Sequence, residues 1–107
     1  MLMSRVMAEN LALIQIHGIV IDPAKWEVLV EGKPLSLTSN QFRLLHFLAS
    51  NAGKVFTRRR IIEAVHGPEY PVTEKSVDVQ MVELRKRLGH LGTLIQTERG
   101  IGFRFQA

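Results

Sequence analysis

The first part of the chain, from about residue 11 to residue 37, is rich in β-branched and aliphatic residues that fall into short runs. Turn-forming sequences separate the runs, namely His17-Gly18, Asp22-Pro23 and Glu31-Gly32-Lys33-Pro34. The apolar runs are Leu13–Ile16, Ile19–Ile21, Trp26–Val30 and Leu35–Leu37. Short runs divided by turn signals are typical of antiparallel strands, so the pattern predicts a small antiparallel sheet of about four strands.

A helical pattern begins at Thr38. Thr38 and Gln41 have the spacing of a capping box, and the apolar residues that follow recur three and four residues apart. These signals predict a first helix from Ser39 to Ser50. Thr57 is a second N-cap candidate, and it predicts a short second helix that ends near His66-Gly67.

The clearest helix is predicted from Glu74 to Leu88, with Thr73 as its N-cap. Cations fill its last turn and Gly89 follows it, as is favourable at a helix C-terminus. The segment before it, Gly67–Val72, holds two prolines and is predicted to be a loop. The apolar residues of this third helix recur at helical spacing and form one stripe that faces a core: Val77, Met81, Leu84 and Leu88.

The end of the chain has two strand-like runs, Leu94–Thr97 and Phe103–Phe105. Between them lies Arg99-Gly100-Ile101-Gly102, where glycine permits the positive φ of a tight turn. This pattern predicts a C-terminal β-hairpin.

The face of the third helix opposite the apolar stripe carries a mixture of cations, one acid and two valines. Its members, at 100° per residue, are Lys75, Val79, Val82, Glu83 and Lys86. A valine loses χ1 freedom in a helix and gains nothing from exposure. Scattered apolar residues are nevertheless common on protein surfaces, so two interpretations stay open: an ordinary solvated face, or a contact with another macromolecule. On DNA, valines could meet thymine methyl groups.

Length and charge add a domain count and a class of partner. The 107 residues, 46% of them hydrophobic, suffice for one domain with its own core. We predict this domain over residues 11–107, with residues 1–10 as a linker or tag remnant. The net charge of +4 lies entirely in the second half of the chain. Such asymmetry indicates a polyanionic partner or a solvated basic face, and charge alone does not choose between them.

Other classes of function find little support in the sequence. The chain has no cysteine, which favours a reducing, cytoplasmic environment, and no apolar run approaches the ~20 residues that cross a bilayer. Glu63 and His66 form a single E-x-x-H, although a di-metal bundle site needs two copies. Gly100-Ile101-Gly102 lacks the third glycine of a dinucleotide fingerprint. We therefore expect a protein that is not an enzyme and that needs no metal, cofactor or membrane.

The order of strands, helices and hairpin resembles the OmpR/PhoB-type winged-helix domain that ends two-component response regulators, over about residues 11–105. The segments that carry the resemblance are Leu37-Thr38 with Gln41-Phe42 and Leu44-Leu45, Val77-Asp78-Val79 with Leu84-Arg85-Lys86, and Thr97 with Arg99-Gly100-Ile101-Gly102-Phe103-Arg104-Phe105. The resemblance implies an α+β winged helix-turn-helix with an N-terminal four-stranded antiparallel sheet, three helices and a C-terminal β-hairpin wing. It also implies sequence-specific binding to double-stranded DNA.

Residue roles follow from the resemblance by position. Helix 74–88 is the expected recognition helix in the major groove, and wing 97–104 is expected at the adjacent minor groove. Arg99 is the expected wing arginine, favoured by the negative potential of a narrow A·T-rich groove. The residues expected at bases or flanking phosphates are Lys75, Val79, Val82, Glu83 and Lys86, and those expected at phosphates are Thr57, Arg58, Arg85 and Thr97.

The resemblance also implies partners and leaves choices open. It places a receiver domain before such a module, likens loop Gly67–Val72 to a segment that meets RNA polymerase in some members, and suggests a monomer that forms a tandem dimer on DNA. Many relatives have arginine or a small polar residue where this chain has Val82 and Glu83. Glu83 could accept from cytosine N4, or pair with Arg87 one turn later. The alternative function is a winged-helix protein-interaction module without DNA binding.

Overall fold

The computed structural model describes residues 12–67 and 73–107, which divide into two compact units at the Leu37–Thr38 bond. The first unit is a four-stranded antiparallel sheet whose strands lie in chain order. The strands are β1 (Ile14–Ile16), β2 (Ile19–Asp22), β3 (Glu27–Val30) and β4 (Lys33–Leu35). Alternate residues of β2, Ile19 and Ile21, are buried, as the period of two along a strand requires, and Val28 is the buried residue of β3. The predicted four-stranded sheet is confirmed.

Some bounds of this sheet differ from the sequence prediction. Trp26 lies in the turn before β3 with a φ of 52°, so the strand begins one residue later than its apolar run. Lys33 and Pro34 belong to β4 instead of a turn, and Leu37 lies beyond the strand. Proline is tolerated there because β4 is an edge strand, so the N–H that proline lacks is not needed to pair with a further strand.

The second unit contains three helices with the predicted bounds, α1 (Ser39–Ser50), α2 (Arg58–His66) and α3 (Glu74–Leu88). Each begins directly after a threonine whose hydroxyl oxygen accepts a hydrogen bond from a backbone N–H three residues later. Thr38 and Gln41 form the complete capping box. A side-chain cap contributes about 1 kcal/mol to the stability of a helix. This local stabilisation explains why the first residues of the three helices could be predicted from sequence.

The interior of the second unit is built mainly from one face of each helix and from the strands that follow α3. The predicted stripe of α3 is buried along its whole length: Val77, Met81, Leu84 and Leu88. The other buried apolar side chains of this unit are Phe42, Leu44, Leu45, Leu48, Ala49, Ile61, Ile62, Leu94, Ile95, Phe103 and Phe105. Helix α1 contacts α2, α3 and the last strand, so the helices and the hairpin share one core.

The C-terminal hairpin consists of β6 (Ile95–Glu98) and β7 (Gly102–Phe105), preceded by a 3-10 helix, Gly89–Leu94. A further strand, β5 (Val55–Thr57), pairs with β7, so the sheet has the order β5-β7-β6. The sequence prediction missed β5, whose three residues looked like the approach to α2. It also placed Leu94 in a strand, whereas Leu94 ends the 3-10 helix.

Gly102 shows how closely β5 and β7 approach each other. A Cβ atom at this position would lie 1.9 Å from the backbone oxygen of Phe56. Any larger residue would therefore push β5 away from β7, and glycine is required by space rather than by its φ angle.

Two predictions are less fully covered by the described residues. All of loop Gly67–Val72 except Gly67 lies outside them. In the part of the chain that the structure does describe, no helix combines the length and apolar character needed to span a membrane.

Candidate nucleic-acid interface

The outward face of α3 is exposed along its length, as the helical spacing predicts. Val79 and Val82 are 57% and 46% exposed, although both are β-branched apolar side chains. Lys75, Glu83 and Lys86 lie on the same face and are exposed as well. The face thus presents two apolar patches between cations, which suits a surface with both negative charge and exposed methyl groups.

Glu83 forms its ion pair with Lys86, and the two charged atoms are 3.9 Å apart. The pairing of Glu83 with Arg87, one turn later, stays a prediction. Both side chains of the pair with Lys86 are more than half exposed, so solvent screens the attraction and its contribution to stability is small. The contact neutralises part of the charge that Lys86 brings to this face.

The tip of the hairpin is the turn formed by Arg99, Gly100 and Ile101. Gly100 has a φ of 78°, which confirms the predicted role of glycine in the turn, and the Ile101 N–H donates to the Glu98 carbonyl over 2.9 Å. The Arg99 side chain is exposed and makes no ion pair or side-chain hydrogen bond with the described residues. Ile101 is 56% exposed beside it. Ile101 was not among the site residues predicted from sequence, although an isoleucine between two glycines at a turn was the available signal.

The base of the hairpin is the part in which Ile95–Thr97 pairs with Phe103–Phe105, and Arg85 is held there. Its Nε donates to the Ile95 carbonyl over 3.0 Å and its Nη2 donates to the Thr97 hydroxyl over 2.8 Å. The guanidinium also lies over the Phe103 ring, 5.7 Å from the ring centroid. Arg85 and Thr97 were both predicted to contact phosphates, and the structure brings them together as partners of each other.

Arg58, at the start of α2, is held in a similar way. Its Nε lies 2.7 Å from the carboxylate of Asp78 on α3, and its guanidinium lies 5.1 Å from the centroid of Phe103. Thr57 directly before it is exposed and accepts from the Arg60 N–H. The contact between Arg58 and Asp78 was not predicted from sequence, because the two residues lie on different helices and no local pattern links them.

A second set of polar contacts ties the two strands of the hairpin together. Arg104 on β7 contacts the Glu98 carboxylate at 2.6 Å and donates to the Gln96 side-chain oxygen at 3.1 and 3.3 Å. Gln96 and Arg104 are direct cross-strand neighbours. Side chains that carry opposite charges or form a hydrogen bond at such positions stabilise a hairpin. The hairpin is therefore braced between its base and its tip.

The described residues contain no group of three or more histidine, cysteine, aspartate or glutamate side chains that could hold a metal ion. The exposed side chains of α3 and of the hairpin tip include the cations and apolar groups already described.

The element order, the exposed face of α3 and the braced hairpin define a winged-helix domain of the transcription-regulator class. The chain matches the family model described as "Transcriptional regulatory protein, C terminal" over residues 32–105, and it belongs to that family. The predicted α+β winged-helix fold and its OmpR/PhoB-type resemblance are confirmed.

Particular relatives support the same assignment. The DNA-binding domain of RstA from Klebsiella pneumoniae, solved in complex with the RstA box, is 31% identical with a TM-score of 0.79, covering 88% of this chain and 96% of that one. The response regulator DrrB from Thermotoga maritima, an OmpR/PhoB homolog, is 30% identical with a TM-score of 0.82, covering 99% and 49%.

Among curated relatives, the phosphate regulon transcriptional regulatory protein PhoB of Pseudomonas aeruginosa is 37% identical over 95 residues. The match covers 88% of this chain and 42% of PhoB. The chain thus spans less than half the length of that relative.

Proposed function

We propose that this chain binds double-stranded DNA with sequence specificity, as the output domain of a two-component transcriptional regulator. The observation that carries the proposal is the exposed face of α3, with Val79 and Val82 between cations, combined with the exposed Arg99 at the tip of the adjoining hairpin. Membership of the regulator family and the likeness to a domain solved on its DNA box support it. Residues 11–107 form the proposed DNA-binding domain, and residues 1–10 a linker or tag remnant.

On this proposal α3 lies in the major groove. Its exposed valines, Val79 and Val82, meet thymine methyl groups, since an apolar side chain is the natural partner of that methyl. Lys75 and Lys86 flank them and contact bases or phosphates. Glu83 accepts from cytosine N4 only if it leaves its ion pair with Lys86, which costs little because the pair is solvent-exposed.

The wing supplies the second contact. Arg99 projects from a turn that holds its backbone but not its side chain, so it is free to enter a narrow A·T-rich minor groove. Thr57 at the N-terminus of α2 stands where helix N–H groups favour a phosphate.

The wider setting of the domain also belongs to the proposal. A receiver domain precedes it in the full regulator, two copies bind tandem DNA sites while the free domain is monomeric, and loop 67–72 touches RNA polymerase. The setting is cytoplasmic and the role is not enzymatic.

The test is selection of bound duplexes from a random pool, followed by affinity measurement at increasing salt. We expect a direct-repeat motif to be enriched and its affinity to fall as salt rises, because each neutralised phosphate releases counterions. Enrichment of no motif by folded protein would contradict the proposal and favour a protein-interaction module. Binding without salt dependence would contradict it as well.

A further inference from the structure

Two arginines that the family pattern suggests as phosphate contacts also share one buried aromatic ring. The guanidinium carbons of Arg58 and Arg85 lie 5.1 and 5.7 Å from the centroid of Phe103, whose side chain is 3% exposed. Attraction between a guanidinium and an aromatic ring strengthens when the pair is partly desolvated, as here.

Each arginine also reaches a second element. Arg58 begins α2 and holds Asp78 on α3 at 2.7 Å. Arg85 extends from α3 to the Ile95 carbonyl and the Thr97 hydroxyl on β6, at 3.0 and 2.8 Å. The cluster therefore joins α2, α3 and both strands of the hairpin.

We propose that Arg58, Asp78, Arg85 and Phe103 act as a positioning cluster that sets the separation between α3 and the tip of the wing. This inference rests on the proposed DNA-binding function. A fixed separation makes the major-groove contacts of α3 and the minor-groove contact of Arg99 occur at one spacing along the duplex. Arg58 and Arg85 thereby contribute to specificity through geometry rather than by direct contact.

The chemistry of arginine explains why lysine would not replace it. The planar guanidinium donates in two fixed directions and stacks on a ring, whereas an ammonium is a point charge on a flexible stem. Arg85 uses both properties, since Nε and Nη2 bind two partners while the plane lies over Phe103. Arg85→Lys therefore keeps the charge and removes the geometry.

Asp78 allows a second test of the cluster, because it is an anion whereas Arg58 and Arg85 are cations. Electrostatics alone predicts that removing a carboxylate from α3 tightens binding to DNA. The proposal predicts instead that Asp78→Ala weakens binding to the selected duplex, because Arg58 loses the partner that orients it. Glu74→Ala is the matched control: it also removes a carboxylate from α3, at an exposed position outside the cluster.

The experiment compares the selected duplex with one that carries a single inserted base pair between the α3 motif and the A·T segment. For the wild type we expect the insertion to weaken binding about tenfold or more, on the scale of a lost base contact. In Arg85→Lys and Asp78→Ala we expect this ratio to fall to about threefold or less. In Glu74→Ala it should stay at the wild-type value. Far-UV circular dichroism and urea unfolding establish that each variant is folded.

The outcomes separate the two proposals. A wild type that binds no duplex overturns the proposed function and this inference with it. A wild type that discriminates the insertion, with Arg85→Lys and Asp78→Ala discriminating equally well, overturns the inference alone. If Asp78→Ala does not fold, Arg85→Lys decides the question.

Discussion

The base and the tip of the wing lie only a few residues apart and differ in almost every respect. At the base, Phe103 is buried and touched by two guanidiniums, and Arg85 is hydrogen-bonded to β6. At the tip, the side chains of Arg99 and Ile101 are exposed, and only a backbone hydrogen bond closes the turn. One short sequence thus combines residues that are held within the fold with residues that are available to contact a partner. Both groups include an arginine, Arg85 and Arg99, so charge does not distinguish them.

The largest expected effect comes from removing the ring at the base. Phe103→Ala should lower the free energy of unfolding by about 3–5 kcal/mol, because it leaves a cavity and takes away the surface beneath both arginines. Urea denaturation measures the loss. Ile101→Ala at the tip is the control and should change stability by no more than about 0.5 kcal/mol. An equal loss of unfolding free energy in the two variants would contradict the structural difference proposed between the base and the tip.

The two glycines of the wing are expected to differ in the same way as its base and tip. Gly102→Ala places a methyl against the Phe56 backbone oxygen and should destabilise the domain by about 3 kcal/mol. Gly100→Ala meets no atom within 4 Å, so only its positive φ opposes the change, at about 1–2 kcal/mol. Thermal unfolding of both variants measures the difference. A larger loss for Gly100→Ala would mean that backbone strain outweighs the approach of β5 to β7.

Arg99, at the tip, is expected to affect the affinity for DNA and not the stability of the domain. Arg99→Ala should weaken binding to the selected duplex by about 1–3 kcal/mol and reduce the preference for A·T pairs under the wing. Its stability should remain near that of the wild type, since the side chain contacts no described residue through an ion pair or hydrogen bond. Fluorescence anisotropy on A·T and G·C versions of the duplex provides the measurement. Unchanged base preference would remove Arg99 from the minor groove.

The smallest effect is expected at the exposed ion pair of α3. Glu83→Gln should change the free energy of unfolding by only about 0.2–0.5 kcal/mol, because solvent screens its contact with Lys86. Affinity for nonspecific duplex should rise slightly as Lys86 is released. The same titration repeated at high salt should remove that gain. A gain that persists at high salt would indicate that Glu83 acts by something other than its charge.

The features of this protein that depend on neighbours along the chain could be predicted from the amino-acid sequence. Threonine caps fixed the three helix starts, and the repeat of apolar residues separated the buried stripe of α3 from its exposed face. Glycine at the hairpin turn marked the tip of the wing. These signals act within one or two turns of backbone, so they can be read locally. The proposed role of Arg99 needed the family resemblance as well.

Which cations are held by contacts within the domain depends on the tertiary fold. Arg58 finds Asp78 on another helix, Arg85 finds β6, and both meet Phe103 from the last strand. Strand β5 likewise exists because it pairs with the distant β7, and that pairing is what requires Gly102. Each of these contacts joins residues far apart in the chain. No local propensity encodes them, because their stabilisation arises only once the helices and the hairpin have come together around one core.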